Sequence, residues 1–134
     1  MEELTLVIPA KNEAESLPTV LNELKNINCK KIVVVPKSDL STQNAIKNFD
    51  CKIITQDKTD DGYGGSLIRG INEVETKFLC IFNADHAFDP KYLNSMFYEV
   101  SNSYDFVFNT RYVKPGGSED DTFVTLIGNY FFTT

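Results

Sequence analysis

Short runs of apolar residues alternate along the chain with segments in which apolar residues recur every three or four positions. Residues 4–8 (LTLVI) form the first run, which Pro9 ends. From Leu17 onward the apolar residues follow the i, i+3, i+4, i+7 spacing of one helix face. The β-branched run at residues 32–35 starts the same order again. The repeating unit predicted for this chain is therefore a strand followed by a helix.

The second and third predicted helices follow the same rule. Ser41 is the predicted N-cap of the second helix. The apolar residues of that helix are Ala45, Ile46 and Phe49. A third strand at residues 52–55 is followed by the loop QDKTDDGYGG, after which the third helix begins. The apolar side of the third helix consists of Leu67, Ile68, Ile71 and Val74.

The last predicted elements are a fourth strand at residues 78–82, a fourth helix, and a fifth strand at residues 105–109. Asp89 is suited to the N-cap of the fourth helix, and Pro90 to its first position, where a backbone N–H is not needed. The apolar stripe of this helix consists of Leu93, Met96, Phe97 and Val100.

The predicted strands are continuously apolar, which is typical of strands covered on both sides. Such strands, separated by helices, predict an α/β fold with a mostly parallel, Rossmann-like sheet flanked by helices on both faces. Ligands of open parallel sheets bind beyond the carboxyl ends of the strands. Four polar segments fall at that edge, and we expect them to meet in one crevice. They are residues 9–13, 36–39, 56–65 and 83–86.

The length and net charge of the chain limit the number of domains and the classes of ligand that it can have. A chain of 134 residues fits one domain. Its formal net charge of −6 argues against a nucleic-acid partner, which would need a basic face to neutralise phosphates. If the ligand is an anion, a divalent metal or a helix N-terminus must offset the repulsion.

The two ends of the chain differ in character. The start, MEELTLVIPA, carries acids where a secretory signal carries positive charge, and three cysteines are an odd number for a disulfide framework, so we expect a cytoplasmic protein. The end, TFVTLIGNYFFTT, is apolar and has no helix stop signal. We therefore expect this sequence to be part of a longer chain.

Three polar residues follow the fourth strand in the stretch FLCIFNADHAFDP. Asp85 stands where its carboxylate can reach the crevice and act as a ligand of Mg²⁺ or Mn²⁺; the alternative is that it stabilises a turn. Asn83 offers an amide for a ribose hydroxyl. His86 is a candidate second metal ligand or a hydrogen-bond partner of a phosphate, and the alternative is a solvated loop histidine.

Other candidates lie after the first, third and fifth strands. Asn12 and Glu13, in IPAKNEAES, are placed to contact a base or ribose, or else to cap a helix. The glycines of DGYGGS permit a close backbone approach to a ligand, or a plain turn. Arg111 can pair bidentately with a diphosphate, although a surface salt bridge explains it equally well.

Taken together these segments resemble the family 2 glycosyltransferases of GT-A fold, most closely the branch that includes the dolichyl-phosphate mannosyltransferases. The resemblance covers nearly the whole chain. LVIPAKNEAESLPTVLNEL resembles the opening strand and helix, GYGGSLIRGI the glycine-rich turn, and NADHAFDP the aspartate motif. TRYVKPGG resembles the segment that follows, and GNYFFT the entry into a further helix.

This resemblance implies a nucleotide-sugar-binding domain over residues 1–134 and an inverting sugar transfer to a lipid-phosphate or glycan acceptor at the inner face of the membrane. The implied metal ligand is Asp85, the last aspartate of a D-x-D motif, with Asn83 at the first position facing the ribose. Arg111 would contact the diphosphate. The residues implied near the nucleotide are Pro9, Ala10, Asn12 and Glu13.

The chain departs from the family pattern after the second strand. Where paired acids are usual it has Pro36 and Lys37, which leaves Asp39 as the possible stand-in for nucleotide binding. Lys37 adds positive charge beside the crevice and is a candidate to favour an anionic donor or to replace part of the metal's task. Two alternatives remain open: a sugar-phosphate nucleotidyltransferase, and a catalytically degenerate module that binds a nucleotide sugar without turnover.

Overall fold

A computed structural model describes residues 1–57 and 62–109, in which strands and helices alternate. The strands are β1 (Leu4–Pro9), β2 (Lys30–Pro36), β3 (Lys52–Gln56) and β4 (Phe78–Ile81). The α-helices are α1 (Leu17–Glu23), α2 (Leu40–Ile46), α3 (Gly62–Ile71) and α4 (Leu93–Asn102). Short 3₁₀ turns at Leu24–Asn26 and Pro90–Tyr92 follow α1 and precede α4.

The four strands form one parallel sheet in the order β3-β2-β1-β4. Val7 of β1 lies opposite Ile32 of β2 on one side and Ile81 of β4 on the other. The predicted class is confirmed, since this is a parallel, Rossmann-like α/β sheet. The first and second strands are the inner ones, which explains why β1 and β2 are the most completely buried.

Alternate residues of the strands face opposite layers of helices. Leu6 and Ile8 of β1 join Val33 and Val35 of β2 in a core beneath α1 and α2. The helix residues buried in this core include Leu17, Val20, Leu21 and Ile46. The predicted stripe of α4 also holds, because Leu93 is buried and Met96, Phe97 and Val100 are half-buried.

Helix α3 covers the other face of the sheet, and the apolar side predicted for it is only partly right. Leu67 is half-buried, and Val74 is also half-buried but lies beyond the end of the helix. Ile68 and Ile71 are exposed, whereas Ser66 and Gly70 are the buried residues of this helix. The reason is the short distance between the layers: a Cβ at Gly70 would lie 2.4 Å from Cγ1 of Val7. A helix so close to the sheet has room only for small side chains.

Two local predictions were wrong. The N-cap of α2 is Asp39 and not Ser41, because the Asp39 carboxylate accepts a hydrogen bond from the Thr42 N–H. The last glycines of QDKTDDGYGG are not part of a loop, since α3 already begins at Gly62. Asp89, in contrast, caps the Pro90–Tyr92 turn as predicted, by accepting from the Lys91 N–H.

The predicted fifth strand is also wrong, since residues 105–109 are described and form no strand. Contacts divide the chain into two compact units, Met1–Phe97 and Tyr98–Thr134. The sheet and helices α1 to α3 belong to the first unit. Arg111 and the segment TRYVKPGG lie outside the described residues. Among the helices that are described, none has the length and apolar character needed to cross a membrane.

Candidate functional site

A cavity of about 320 Å³ opens at the carboxyl ends of the four strands. All four segments that the topology placed at this edge contribute to it. Among the described residues its lining consists of Pro9, Ala10, Lys11, Glu13, Pro36, Gln56, Gly62, Tyr63, Ser66, Asn83, Ala84 and Asp85. We call this cavity the crevice. Asn12, Asp39 and His86 are not among the lining residues.

The chain makes a tight turn where β1 ends at the crevice. Pro9 and Ala10 are buried, and Asn12 adopts a left-handed backbone conformation with φ of 60°. Asparagine tolerates this conformation better than most residues do. The Asn12 N–H donates a hydrogen bond of 2.7 Å to Oδ2 of Asp39. The turn after β1 is therefore held by a carboxylate that follows β2.

Asp39 serves both the turn and helix α2. Its second oxygen, Oδ1, accepts the Thr42 N–H at 3.1 Å. Burial opposes ionisation of this carboxyl, but hydrogen bonds from Asn12 and Thr42 outweigh it and lower the pKa of Asp39. Asp39 was predicted to bind the nucleotide, but each of its carboxylate oxygens accepts a backbone N–H. Asp39 is therefore a structural link between two loops of the site.

Glu13 is tied to the same helix. Its N–H donates to Oγ1 of Thr42 at 3.0 Å, and its carboxylate accepts the hydroxyl of Ser16. Of the residues predicted near the nucleotide after β1, Pro9, Ala10 and Glu13 line the crevice, whereas Asn12 contributes its backbone to the turn.

Asp85 lies at the crevice on the β4 side and is exposed. Its Oδ1 accepts the N–H of Ala87 at 3.1 Å, a bond that closes a local turn. Asp85 thus stabilises a turn, which was the alternative considered in the sequence analysis. Its carboxylate nevertheless lines the cavity as well. Ionised carboxylates have several acceptor sites, so one turn bond leaves room for a further ligand.

Asn83, two residues earlier, lines the crevice beside the first turn of α3. The hydroxyl of Tyr63 donates to Oδ1 of Asn83 at 3.3 Å. Asn83 is half-buried and Tyr63 is exposed. The amide of Asn83 is therefore oriented by α3, and its NH₂ group remains available as a donor.

His86 points to a different part of the surface. It has a φ of 64°, and its Nδ1 lies 3.8 Å from Oε1 of Glu23. Together with Phe88, Asp89 and Pro90 these two side chains line a second cavity. The structure thus does not bring His86 into the crevice with Asp85, and ligation of a metal by His86 stays a prediction.

The donor groups at Asp85 decide which kind of metal site they fit. No group of three or more His, Cys, Asp or Glu side chains that would hold a metal occurs in residues 1–57 and 62–109. A closed site formed by protein ligands alone is therefore not present in this part of the chain. A single exposed carboxylate does fit Mg²⁺ or Mn²⁺, because such ions commonly take one or two carboxylates and complete their shell with water and substrate phosphates.

Lys37 and Gln56 belong to the side of the site formed by β2 and β3. The Lys37 ammonium lies 3.0 Å from the carboxylate of Asp57, and both side chains are exposed. Gln56 is the last residue of β3 and is only 4% exposed. Sequence reasoning did not single out Gln56, although it lies at the same carboxyl edge of the sheet as Asp85.

The fold and the crevice together define an α/β domain of the GT-A kind with a polar site at the carboxyl edge of its sheet. The model of glycosyl transferase family 2 matches residues 5–134. The chain belongs to this family.

Two curated relatives are similar over most of the chain. This chain is 26% identical over 125 residues to a dolichol-phosphate mannosyltransferase of Pyrococcus furiosus. The match covers 87% of this chain and 35% of the relative. The chain is 27% identical over 133 residues to an uncharacterised protein of Methanocaldococcus jannaschii, with coverage of 96% and 55%. The chain thus spans about a third to a half of the length of these relatives.

Proposed function

We propose that this domain binds a nucleoside-diphosphate sugar in the crevice and transfers the sugar, with inversion, to a lipid-phosphate or glycan acceptor. The observation that carries the proposal is Asp85, an exposed carboxylate that lines a cavity at the carboxyl edge of a parallel sheet. Membership of glycosyl transferase family 2 supports transfer in general. The donor, the acceptor and the need for a metal are parts of the proposal.

The diphosphate would lie between Asp85 and the start of α3. Gly62 and Tyr63, in the first turn of α3, line the crevice. Backbone N–H groups in the first turn of a helix have no partner within the helix and favour anions. Mg²⁺ or Mn²⁺, held by Asp85 and diphosphate oxygens, would supply the positive charge that stabilises a departing nucleoside diphosphate.

The chain's own groups orient the donor. Lys11 lines the crevice, and its ammonium can offset the negative charge of a diphosphate. Asn83, oriented by Tyr63, offers its amide to a ribose hydroxyl. Arg111 is proposed as a further diphosphate contact on the resemblance alone. A single displacement at the anomeric carbon of the sugar would invert its configuration.

The acceptor is proposed from similarity. The Pyrococcus furiosus relative is named a dolichol-phosphate mannosyltransferase, and a lipid phosphate is accordingly the acceptor class favoured for this chain. Such an acceptor would place the reaction at a membrane surface, and the cytoplasmic side of that membrane is part of the proposal.

A binding module without turnover is the second candidate, favoured by one observation. Asn83 stands at the first position of the aspartate motif, where its Oδ1 already accepts from Tyr63. An amide is a weaker ligand for a hard cation than a carboxylate, so metal binding here depends on Asp85. A module of this kind would bind the nucleotide sugar and leave its glycosidic bond intact.

Calorimetry with UDP, GDP and their sugars, each with Mn²⁺ or with EDTA, tests the proposal. Asp85→Asn is the informative variant, because asparagine keeps an oxygen for the Ala87 N–H while removing the charge. We expect Mn²⁺-dependent binding to the original protein and a loss of at least tenfold in the variant. Asp50→Asn is the matched control. Asp50 is exposed and lies just before β3, at the amino ends of the strands and away from the crevice.

Sugar release or transfer to a polyprenyl phosphate then separates the two candidates. Transfer or hydrolysis by the original protein, lost in Asp85→Asn, supports the enzyme. Binding without either reaction supports the module. If neither nucleotide nor nucleotide sugar binds, both candidates are wrong.

A further inference from the structure

Gln56 is a buried amide without a complete set of hydrogen bonds. It is the last residue of β3 and the most buried residue of that strand, with 4% of its surface exposed. Its Oε1 is buried and has no hydrogen-bond donor among the described residues. Leaving a buried acceptor unpaired destabilises the fold, and such groups in folded proteins usually have a partner.

The surroundings of Gln56 point to a ligand as that partner, because its side chain is one of those that line the crevice. Pro36, which lies opposite Gln56 on the neighbouring strand β2, and Pro9 are apolar members of the same lining. Apolar surface beside an amide that both donates and accepts matches the general form of a site for a planar heterocycle.

The position of Gln56 along the sheet agrees with the proposed site for the diphosphate. Gln56 ends β3 and Asp85 follows β4, and these two strands are at opposite sides of the order β3-β2-β1-β4. Three strand spacings correspond to roughly 14 Å. An extended nucleoside diphosphate has its base and its terminal phosphate a comparable distance apart. With the diphosphate at Asp85, the base would lie at Gln56.

We infer that Gln56 is the residue that recognises the nucleobase, an assignment that rests on the proposed function. Its amide oxygen accepts an N–H of the base, and its amide nitrogen donates to the neighbouring acceptor of the same edge. Uracil and guanine present an N–H beside a carbonyl oxygen, whereas adenine and cytosine present an amino group beside a ring nitrogen. Each of these four bases can therefore donate an N–H to Oε1 of Gln56. The experiment below distinguishes among the bases.

The test measures the affinities of UDP, GDP, ADP, CDP and inorganic pyrophosphate by calorimetry, for the original protein and for Gln56→Met. Methionine has nearly the same volume but has neither an N–H donor nor an oxygen acceptor. We expect Gln56→Met to bind the preferred nucleotide about tenfold more weakly and to lose preference among the bases. Pyrophosphate has no base, so its affinity should stay unchanged.

Gln43→Met is the matched control, because it is the same change in a glutamine outside the crevice lining. The Gln43 amide donates to the carbonyls of Pro36 and Lys37. Removal of the Gln43 amide in Gln43→Met should leave the order in which the protein prefers the bases unchanged. Thermal unfolding of each variant shows whether the protein is folded, and removal of an unpaired buried oxygen should not lower the stability of Gln56→Met.

Gln56→Glu is a second, independent test of base recognition by Gln56. It can be used even if Gln56→Met does not fold. A carboxylate replaces the amide donor with another acceptor, which favours guanine, whose edge carries two adjacent N–H donors. We expect the ratio of GDP to UDP affinity to rise at least fivefold.

Unchanged base preference in both variants would overturn the role of Gln56 while leaving the proposed function intact. Equal weakening of nucleotides and pyrophosphate would assign Gln56 a structural role and overturn the inference as well. Failure of the original protein to bind any nucleotide or pyrophosphate would overturn the proposed function together with this inference.

Discussion

The carboxylate of Asp39 accepts the backbone N–H of Asn12 at 2.7 Å, so a residue that caps α2 also fixes the turn after β1. Asn12 needs such support because its backbone is in the left-handed region. The bond joins residues that are 27 positions apart in the sequence. The geometry on one side of the crevice therefore depends on a residue that is outside its lining.

Replacement of Asp39 by alanine is expected to destabilise the fold. Loss of an N-cap costs about 1–2 kcal/mol, and the Asn12 N–H loses its acceptor in addition. Asp39→Asn is the matched control, because asparagine caps helices well but has one oxygen for the two N–H groups. Urea unfolding should rank the original protein above Asp39→Asn and Asp39→Ala last. Equal stabilities of all three would contradict the role given to this carboxylate.

The contribution of Asp39 should also depend on pH. Burial opposes ionisation of this carboxyl, but hydrogen bonds from Asn12 and Thr42 outweigh it and lower the pKa of Asp39 in the folded protein. A carboxyl with a lowered pKa stabilises the fold fully above its unfolded pKa of about 3.9, and this stabilisation is lost as the pH falls through the folded value. The difference in unfolding free energy between the original protein and Asp39→Ala should be constant near neutral pH and shrink below about pH 4.

Two glycines of α3 should respond oppositely to the same substitution. A Cβ at Gly70 would lie 2.4 Å from Cγ1 of Val7 and 3.1 Å from Cγ2 of Val34, both in fully buried side chains. We expect Gly70→Ala to lower stability by roughly 1–3 kcal/mol despite the better helix propensity of alanine. A Cβ at Gly64 would meet nothing within 4 Å, so Gly64→Ala should gain about 0.5–1 kcal/mol. Melting temperatures that shift in the same direction would show that α3 does not lie so close to the sheet.

The fold was predictable where the local pattern alone decides the structure. Continuous apolar runs predicted β1 to β4, and the i, i+3, i+4 spacing predicted the stripe of α4. The core-facing side of α3 was not predictable in this way. Its buried residues, Ser66 and Gly70, were selected by the short distance to Val7 and not by hydrophobicity. The N-cap of α2 was missed because Asp39 and Ser41 both suit an N-cap, and the sequence alone does not decide between two such residues only two positions apart.

The site was predictable in outline but not in its hydrogen bonds. Parallel topology alone placed Pro9, Asn83 and Asp85 at one edge of the sheet, and all three line the crevice. No local pattern indicated that His86 would lie near Glu23, since that depends on its left-handed backbone and on the position of α1. Gln56 was overlooked because an unpaired buried amide can be recognised only once its neighbours are known.

Lys37 is expected to affect nucleotide binding through charge. Its ammonium pairs with Asp57 at 3.0 Å, next to Pro36 in the crevice lining. Lys37→Asp leaves two carboxylates there, so nucleotide affinity should fall about threefold, and more at low salt. Stability should change by less than about 1 kcal/mol, because the pair is exposed.

Titration of UDP and GDP with and without Mn²⁺ measures this effect. Lys47→Asp, which makes the same change in charge at the far end of α2, is the control and should bind as the original protein does. Identical titrations for Lys37→Asp and the original protein would end the idea that Lys37 favours an anionic donor.

Asn83→Asp tests the metal site from the opposite direction, by adding a ligand. Asn83 and Asp85 both line the crevice, and a carboxylate is a better ligand than an amide for a hard cation. The Tyr63 hydroxyl can donate to a carboxylate at position 83 as it does to the amide, so the local structure should be kept. In the presence of nucleotide we expect the affinity for Mn²⁺ to rise about tenfold.

Calorimetric titration of Mn²⁺ into the nucleotide complex measures this change. Asn48→Asp is the control, since it makes the same substitution at an exposed position after α2 and should leave the affinity for Mn²⁺ as it was. If Asn83→Asp does not bind Mn²⁺ more tightly than this control does, the cation does not lie beside Asp85. The positive charge for the diphosphate would then have to come from Lys11 and the first turn of α3, both of which line the same crevice.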